Sequence, residues 1–227
     1  MSALHLKKEL DHLKLRLLHL GAIAETSLEK VGYALKNLDE KSAQEVVEAD
    51  QDADNIEVAI EEECLKILAL HTPVANDLRF VVATLKINND LERVCDLSVN
   101  IAERVKFLSK ETPIPSPFDF DLMLEKTLKM VHLSLDSFVQ SSVEIATQVC
   151  ELDNEVDSMN RQVYKNVYAA IRENPQNVEI LIHYLSISRH LERIADYATN
   201  ICEDVIYMID GRIVRHQPEE FHGKLLS

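Results

Sequence analysis

Glycine and proline are scarce in this chain, 4 and 6 of 227 residues, and tryptophan is absent. Sandwiches and barrels need far more turn residues than that, so a turn-rich β architecture is excluded. Cysteines number only 4 and form no CxxC pair. Neither a disulfide framework nor a four-cysteine zinc site fits Cys64, Cys95, Cys150 and Cys202, which read as reduced, mostly packing thiols. Positive charge is thin as well: 24 Lys plus Arg against 39 Asp plus Glu leave a net charge of −15. Without a basic patch, nucleic acid is a poor partner, and cations or basic protein patches suit the surface better. No apolar run approaches the length of a membrane span, and no charged-then-apolar leader opens the chain. The expectation is a cytoplasmic protein. A Gly-rich phosphate loop is also missing, as is a nucleophile-and-base pair in a recognisable context, so a non-enzyme is expected.

What is present is helical periodicity over a chain that is 46% hydrophobic, long enough for a sizeable core. Helices are read at about 3–38, 42–70, 75–108, 119–150, 153–173 and 176–209. Asp39 and Ser42 are candidate N-caps for the second, and Gly211 a candidate stop for the sixth. Three prolines in KETPIPSPF, within 110–118, mark the one clear linker. Residues 1–108 then form one unit, 109–118 the Pro-rich linker, 119–211 a second unit and 212–227 a tail.

The two units repeat one another. DLERVCDLSVNIAE (90–103) and HLERIADYATNICE (190–203) share seven of fourteen positions, and five of those seven are polar. Upstream, EADQDADNIE (48–57) resembles CELDNEVDSMN (150–160), aligning Asp50 with Asp153 and Asp54 with Asp157. Each half thus holds a long helix, a helix with DxxxD and a helix with ExxxDxxxNxxE. That pattern predicts an all-α fold of two tandem antiparallel three-helix bundles related by a pseudo-twofold.

At about 100° per residue, Glu92, Asp96, Asn100 and Glu103 fall on one face. Leu91, Val94, Ser98, Ile101 and Val105 fall on the other, toward the core. Asp50, Asp54, Glu57 and Glu61 make a second acidic stripe. Such stripes are ordinary on a solvated helix. Here, however, like charges recur one turn apart, which repels, and they recur in both halves, although surface charge is free to vary. Oxygen ligands at that spacing can grip a hard cation, which would relieve the repulsion.

These stretches, with PVANDLRFVVATLKINNDLERVCDLSVNIAE (73–103) and RHLERIADYATNICEDVIYMIDG (189–211), resemble the PhoU family of phosphate-uptake regulators over about residues 5 to 211. LGAIAETSLEKVGYALKNLD (20–39) and DQDADNIEVAIEEECLKILA (50–69) are similar in layout. The resemblance implies two three-helix bundles and a cytoplasmic negative regulator. Its partners would be the phosphate ABC transporter, through the ATPase subunit, and the phosphate-sensing membrane histidine kinase. A homodimer is also expected.

The resemblance further implies metal on the motif carboxylates, iron by family, with Mg, Mn, Zn or Ca left open. They are Asp50, Asp54, Glu92 and Asp96 in the first half, and Asp153, Asp157, Glu192 and Asp196 in the second. Glu57, Asn100, Glu103, Asn200, Glu203, Arg93 and Arg193 are candidates for additional ligands or for contacts behind them. Tyr197 stands where the family often has His.

Other residues read more plainly. Arg93 and Arg193 suit i,i+3 pairs with Asp96 and Asp196, and Arg79 a salt bridge to a neighbouring helix. His5, His12 and His19 form a partly exposed stripe, with neighbours about 10 Å apart along the axis. Two alternatives stand beside the family reading: a ferritin-like di-iron protein, for which Glu9-x-x-His12 is the one helical Glu-x-x-His, and a metal-free helical scaffold.

Overall fold

The structure, a computed structural model, describes residues 3–214. Six α-helices account for nearly all of them: α1 Ala3–Asn37, α2 Glu40–His71, α3 Ala75–Leu108, α4 Phe120–Gln140, α5 Val143–Glu173 and α6 Val178–Asp210. A short 3-10 turn, Pro175–Asn177, leads into α6, and no strand occurs among the described residues. The tail read at 212–227 lies outside the described residues from 215 onward.

Apolar side chains every three or four residues drive each helix into the core. Along α1 they are Leu13, Leu17, Leu20, Ala24, Leu28, Val31 and Leu35, all buried. Helices α1, α2 and α3 pack on one another, and so do α4, α5 and α6. Two further contacts join the sets: α3 with α6, the most extensive helix pair, and α1 with α4. One continuous core therefore runs through all six helices. This arrangement is not a ferritin-like four-helix bundle, and that alternative is set aside.

Along the α3–α6 seam, Lys86 faces Asp204 at 2.9 Å, while the rings of Phe107 and His183 stack 3.8 Å apart. The two helices therefore run antiparallel. The midpoint of that register falls at Cys95 and Ala195, both buried and equivalent in the repeat. At the α1–α4 contact, glycine permits a close approach. A Cβ on Gly21 would stand 2.7 Å from a methyl of Leu135, and one on Gly32 would collide with Leu124.

Helix ends follow side-chain chemistry, with one boundary differing from the sequence reading. Asp39 caps α2, accepting from Lys41 N at 3.0 Å and Ser42 N at 3.4 Å. Ser42 is not a second cap but lies inside the first turn, its hydroxyl donating to Asp39 Oδ2. Gly211 closes α6 with φ 72° as expected. The fourth helix, expected to run to 150, stops at Gln140. Ser141 takes the left-handed conformation, φ 50°, and Ser142 begins α5 by accepting from Ile145 N at 3.3 Å. The fifth helix consequently starts at Val143, ten residues earlier than expected, which places the whole CELDNEVDSMN stretch inside α5.

The linker between α3 and α4 packs rather than dangling. Ile114 and Phe118 lie against the core and against a satellite cluster of Val163, Val167 and Leu181. The Asn166 amide donates to the Pro117 carbonyl at 2.8 Å.

Candidate metal centres

Extending α5 back to Val143 gives the halves matching geometry. The DxxxD of α2 faces the ExxxD of α3, and the DxxxD of α5 faces the ExxxD of α6. Asp50, Asp54, Glu57, Glu92 and Asp96 act electrostatically on one another across the first pair, and Asp153, Asp157, Glu192 and Asp196 across the second. The structure thus assembles two groups from the eight motif carboxylates.

Both groups are strained by their own charge. Burial first, then Asp54 and Asp96, raises the Asp50 carboxyl to about 6. Burial, Asp157 and Glu192 raise Asp153 to about 6 as well. Asp196 goes highest, to about 7, through loss of solvent around it and through Glu192, Asp153 and Asp157, against a smaller opposing pull from Arg193. Its own side chain nonetheless keeps an exposed surface, so it sits at the rim of the group. Glu57, Glu92 and Glu192 are also raised, chiefly by burial. Carboxyls that resist ionisation in company are poised to lose their protons to a multivalent cation.

In the second group, Asp153 Oδ1 is buried without a hydrogen-bond partner. The donors are all oxygen, the set that hard cations select. The residues present therefore fit the metal implied by the family. The side chains do not stand in a closed coordination sphere, however. Among the described residues, the one set of three potential ligand atoms within 4.8 Å of one another is His5, Glu9 and His71, at the opposite end of α2 from Asp50.

The supporting residues divide. Arg93 donates to Asp96 at 2.8 Å and approaches Glu92 at 3.5 Å, as its spacing suggests. Arg193, contrary to its spacing, forms no ion pair with Asp196; its charge only offsets in part the upward shift of the Glu192 and Asp196 carboxyls. Asn100 turns its amide to its own helix, donating to the Asp96 carbonyl at 2.9 Å, which occupies that donor group. Asn200 is half-buried and Glu103 exposed, while Glu203 lies beside Cys150, whose thiol burial and Glu203 raise to about 12. Cys64 and Cys95 are raised equally far, first by burial, and Cys202 is buried too, so these thiols pack and do not react.

The halves differ beneath the carboxylates. In the first, the Asn88 amide donates to Glu57, to its carbonyl at 3.0 Å and its Oε1 at 3.3 Å. In the second, the equivalent pair is Ser188 and Asn160, with the Ser188 hydroxyl donating to Asn160 Oδ1 at 2.8 Å and Asn160 hydrogen-bonded to Glu192. A neutral amide thus replaces a carboxylate. Arg79 makes no salt bridge to a neighbouring helix, contrary to expectation; its Nε donates to the Met208 carbonyl at 3.2 Å and its guanidinium to Asn76. The last-turn carbonyls of α6 offer partial negative charge that substitutes for a carboxylate.

The geometry has counterparts. The family model of the PhoU domain matches twice, at residues 17–105 and 120–205. A Thermotoga maritima protein described as phosphate-specific transport system accessory protein PhoU homolog 1 is 34% identical over 214 residues, covering 92% of this chain and 90% of its own. An Aquifex aeolicus protein described as phosphate-specific transport system accessory protein PhoU homolog is 36% identical over 210 residues, covering 92% of this chain and 95% of its own. Among solved structures, PhoU from Pseudomonas aeruginosa superposes with a TM-score of 0.87 at 32% identity, covering 91% of this chain and 99% of that one.

Proposed function

The chain belongs to the PhoU family, and on that premise we propose that it is a metal-binding regulator of phosphate uptake. Its relatives carry the description of accessory proteins of the phosphate-specific transport system. In this reading the protein works in the cytoplasm as a homodimer, by contact rather than catalysis. It restrains the phosphate ABC transporter through the ATPase subunit, and it holds the phosphate-sensing membrane histidine kinase in its repressing state when phosphate is plentiful. No helix among the described residues is long and apolar enough to cross a membrane, so a membrane role would run through such partners.

The observation that carries the metal part is the pair of carboxylate groups at equivalent places in both matched halves, each with acids pushed up to about 6 or 7. Asp50, Asp54, Glu92 and Asp96 would hold cations in one half, and Asp153, Asp157, Glu192 and Asp196 in the other. A bound cation supplies positive charge that ends the mutual repulsion. Iron is the family precedent, and the oxygen donors also suit Mg, Mn or Ca, with Zn a weaker fit. The protein's own contribution is to hold α2 against α3, and α5 against α6, so that the carboxylates converge.

The regulatory reading is tested by clean deletion in the host. Starvation genes should switch on, and phosphate uptake rise, in phosphate-rich medium. Unchanged expression in a strain without a second PhoU copy overturns the role. A pull-down from phosphate-replete cells, probed for the transporter ATPase and the sensor kinase, separates the two partners.

A further inference from the structure

Where α1 begins and α2 ends, three residues outside the acidic motifs meet. His5 and Glu9 lie one turn apart on α1, and His71 is the last residue of α2. His71 Nε2 stands 2.6 Å from Glu9 Oε2, and His5 Nε2 3.3 Å from Glu9 Oε1. The two imidazole rings face each other at a tilt, centroids 5.6 Å apart. All three ligand atoms lie within 4.8 Å of one another.

The burial is uneven in a telling way. The His71 side chain is 4% exposed and Glu9 15%, whereas His5 is 55% exposed. Glu9 Oε2 and His71 Nε2 are sealed from solvent, and beyond their own 2.6 Å ion-pair contact neither has a hydrogen-bond partner. A buried imidazole nitrogen and a buried carboxylate oxygen share one small space with a second imidazole nitrogen at its open side, where either a proton on His71 or a metal ion can balance the Glu9 charge. Burial alone would raise the Glu9 carboxyl, but Lys66, His71 and His5 together hold it below its ordinary value, keeping it anionic.

We propose that His5, Glu9 and His71 bind one divalent transition-metal ion, zinc being the class the donors favour. Two imidazoles and one carboxylate form the ligand set of open tetrahedral zinc sites, and ligand atoms on such an ion stand about 3.3 Å apart. His5 and Glu9 have that spacing, while the 2.6 Å His71–Glu9 pair would open by several tenths of an ångström as the ion replaces its proton. The mixed nitrogen and oxygen donors distinguish this site from the all-oxygen groups on the acidic motifs. Lys66, with Nζ 3.5 Å from Glu9 Oε1, is the competing cation. Its side chain is 58% exposed and can swing away. The fourth position opens to a surface cleft lined by Lys8, His12, Glu63 and Lys66. Bound there, the ion would staple the start of α1 to the end of α2.

The test uses the full chain and zinc itself. The variant Glu92→Gln/Asp96→Asn/Glu192→Gln/Asp196→Asn removes motif ligands, and equilibrium dialysis against Zn2+ then counts what remains. One zinc per chain should stay bound, and adding His71→Ala or His5→Gln should weaken it by at least about tenfold. Cobalt loading of the same proteins should show visible bands that either histidine substitution abolishes. Absence of zinc from the motif-depleted variant, or binding that neither substitution alters, overturns the site. Should the buried His71→Ala change disturb helicity, the exposed His5→Gln variant decides alone.

Discussion

Lys86 of α3 sets its Nζ 2.9 Å from Oδ1 of Asp204 on α6, and the Asp204 side chain is 2% exposed while that of Lys86 is 40% exposed. The same ammonium lies 5.4 Å from the centre of the Tyr207 ring. One charge is thus buried at the seam between the halves and its partner is tethered to it from the rim. Replacing Lys86 by Met removes this ion pair from a buried carboxylate and should cost about 1–3 kcal/mol in urea unfolding. The double variant Lys86→Met/Asp204→Leu should recover part of that loss, since it removes the buried charge as well. A double variant no more stable than Lys86→Met would show that the pair is not the source of the effect.

The acidic groups predict how stability depends on pH. Asp50, Asp153 and Asp196 have folded values near 6, 6 and 7, against 3.8 for an ordinary aspartate. Between about pH 4 and 7 the folded state therefore holds protons that the unfolded chain has released, and these groups erode stability as pH rises. In chelator, Asp50→Asn/Asp153→Asn/Asp196→Asn should flatten the fall in Tm across that window relative to wild type. Metal affinity should rise over the same window, because the ion competes with protons. Identical pH slopes for the two proteins would remove the argument.

Metal counting should rank the halves. Glu57 of the first half becomes Asn160 in the second, and Glu61 becomes Tyr164. With more carboxylate charge, the first site should bind tighter or hold more ions. Elemental analysis should find a larger loss from Glu92→Gln/Asp96→Asn than from Glu192→Gln/Asp196→Asn. The reverse order would refute the ranking, and no loss from either would favour the metal-free scaffold.

Ser142 tests the α4–α5 boundary. Its hydroxyl accepts from Ile145 N and also donates to Glu144. Ser142→Ala should cost about 1 kcal/mol by removing the cap. Ser158→Ala, inside α5 and exposed, should cost much less. Equal costs would deny Ser142 its capping role.

Sequence and structure agree where the physics is local or repeated. The 3.6-residue periodicity places Leu91, Val94, Ile101 and Val105 in the core, and the duplicated motifs identify the carboxylates that the fold brings together. The α4–α5 break escaped because its left-handed residue is Ser141, not glycine, in a chain with few glycines to mark such places. Leu38 and Thr72 adopt positive φ beside other helix ends in the same way. The Arg79 contact escaped because its acceptor is a backbone carbonyl, which no side-chain pattern announces. His71 and Glu9 are 62 positions apart, so only the antiparallel return of α2 along α1 joins them. The local trace was His5-x-x-x-Glu9, a ligand pair spaced by one turn.

The register of α3 on α6 carries a historical consequence. Cys95 and Ala195, equivalent in the repeat, sit at the middle of an antiparallel contact that reads the same from either helix. That is the symmetry of two identical chains meeting across a dyad. A three-helix ancestor with one copy of the motif could have assembled by pairing its third helix with that of a sister molecule. Fusing two such genes through the segment now at 109–119 would turn a concentration-dependent association into an intramolecular one, at the high effective concentration a short tether imposes. In one chain neither half has to complement its own image, and Lys86 opposite Asp204 has no counterpart at the equivalent positions, Ser186 and Arg104.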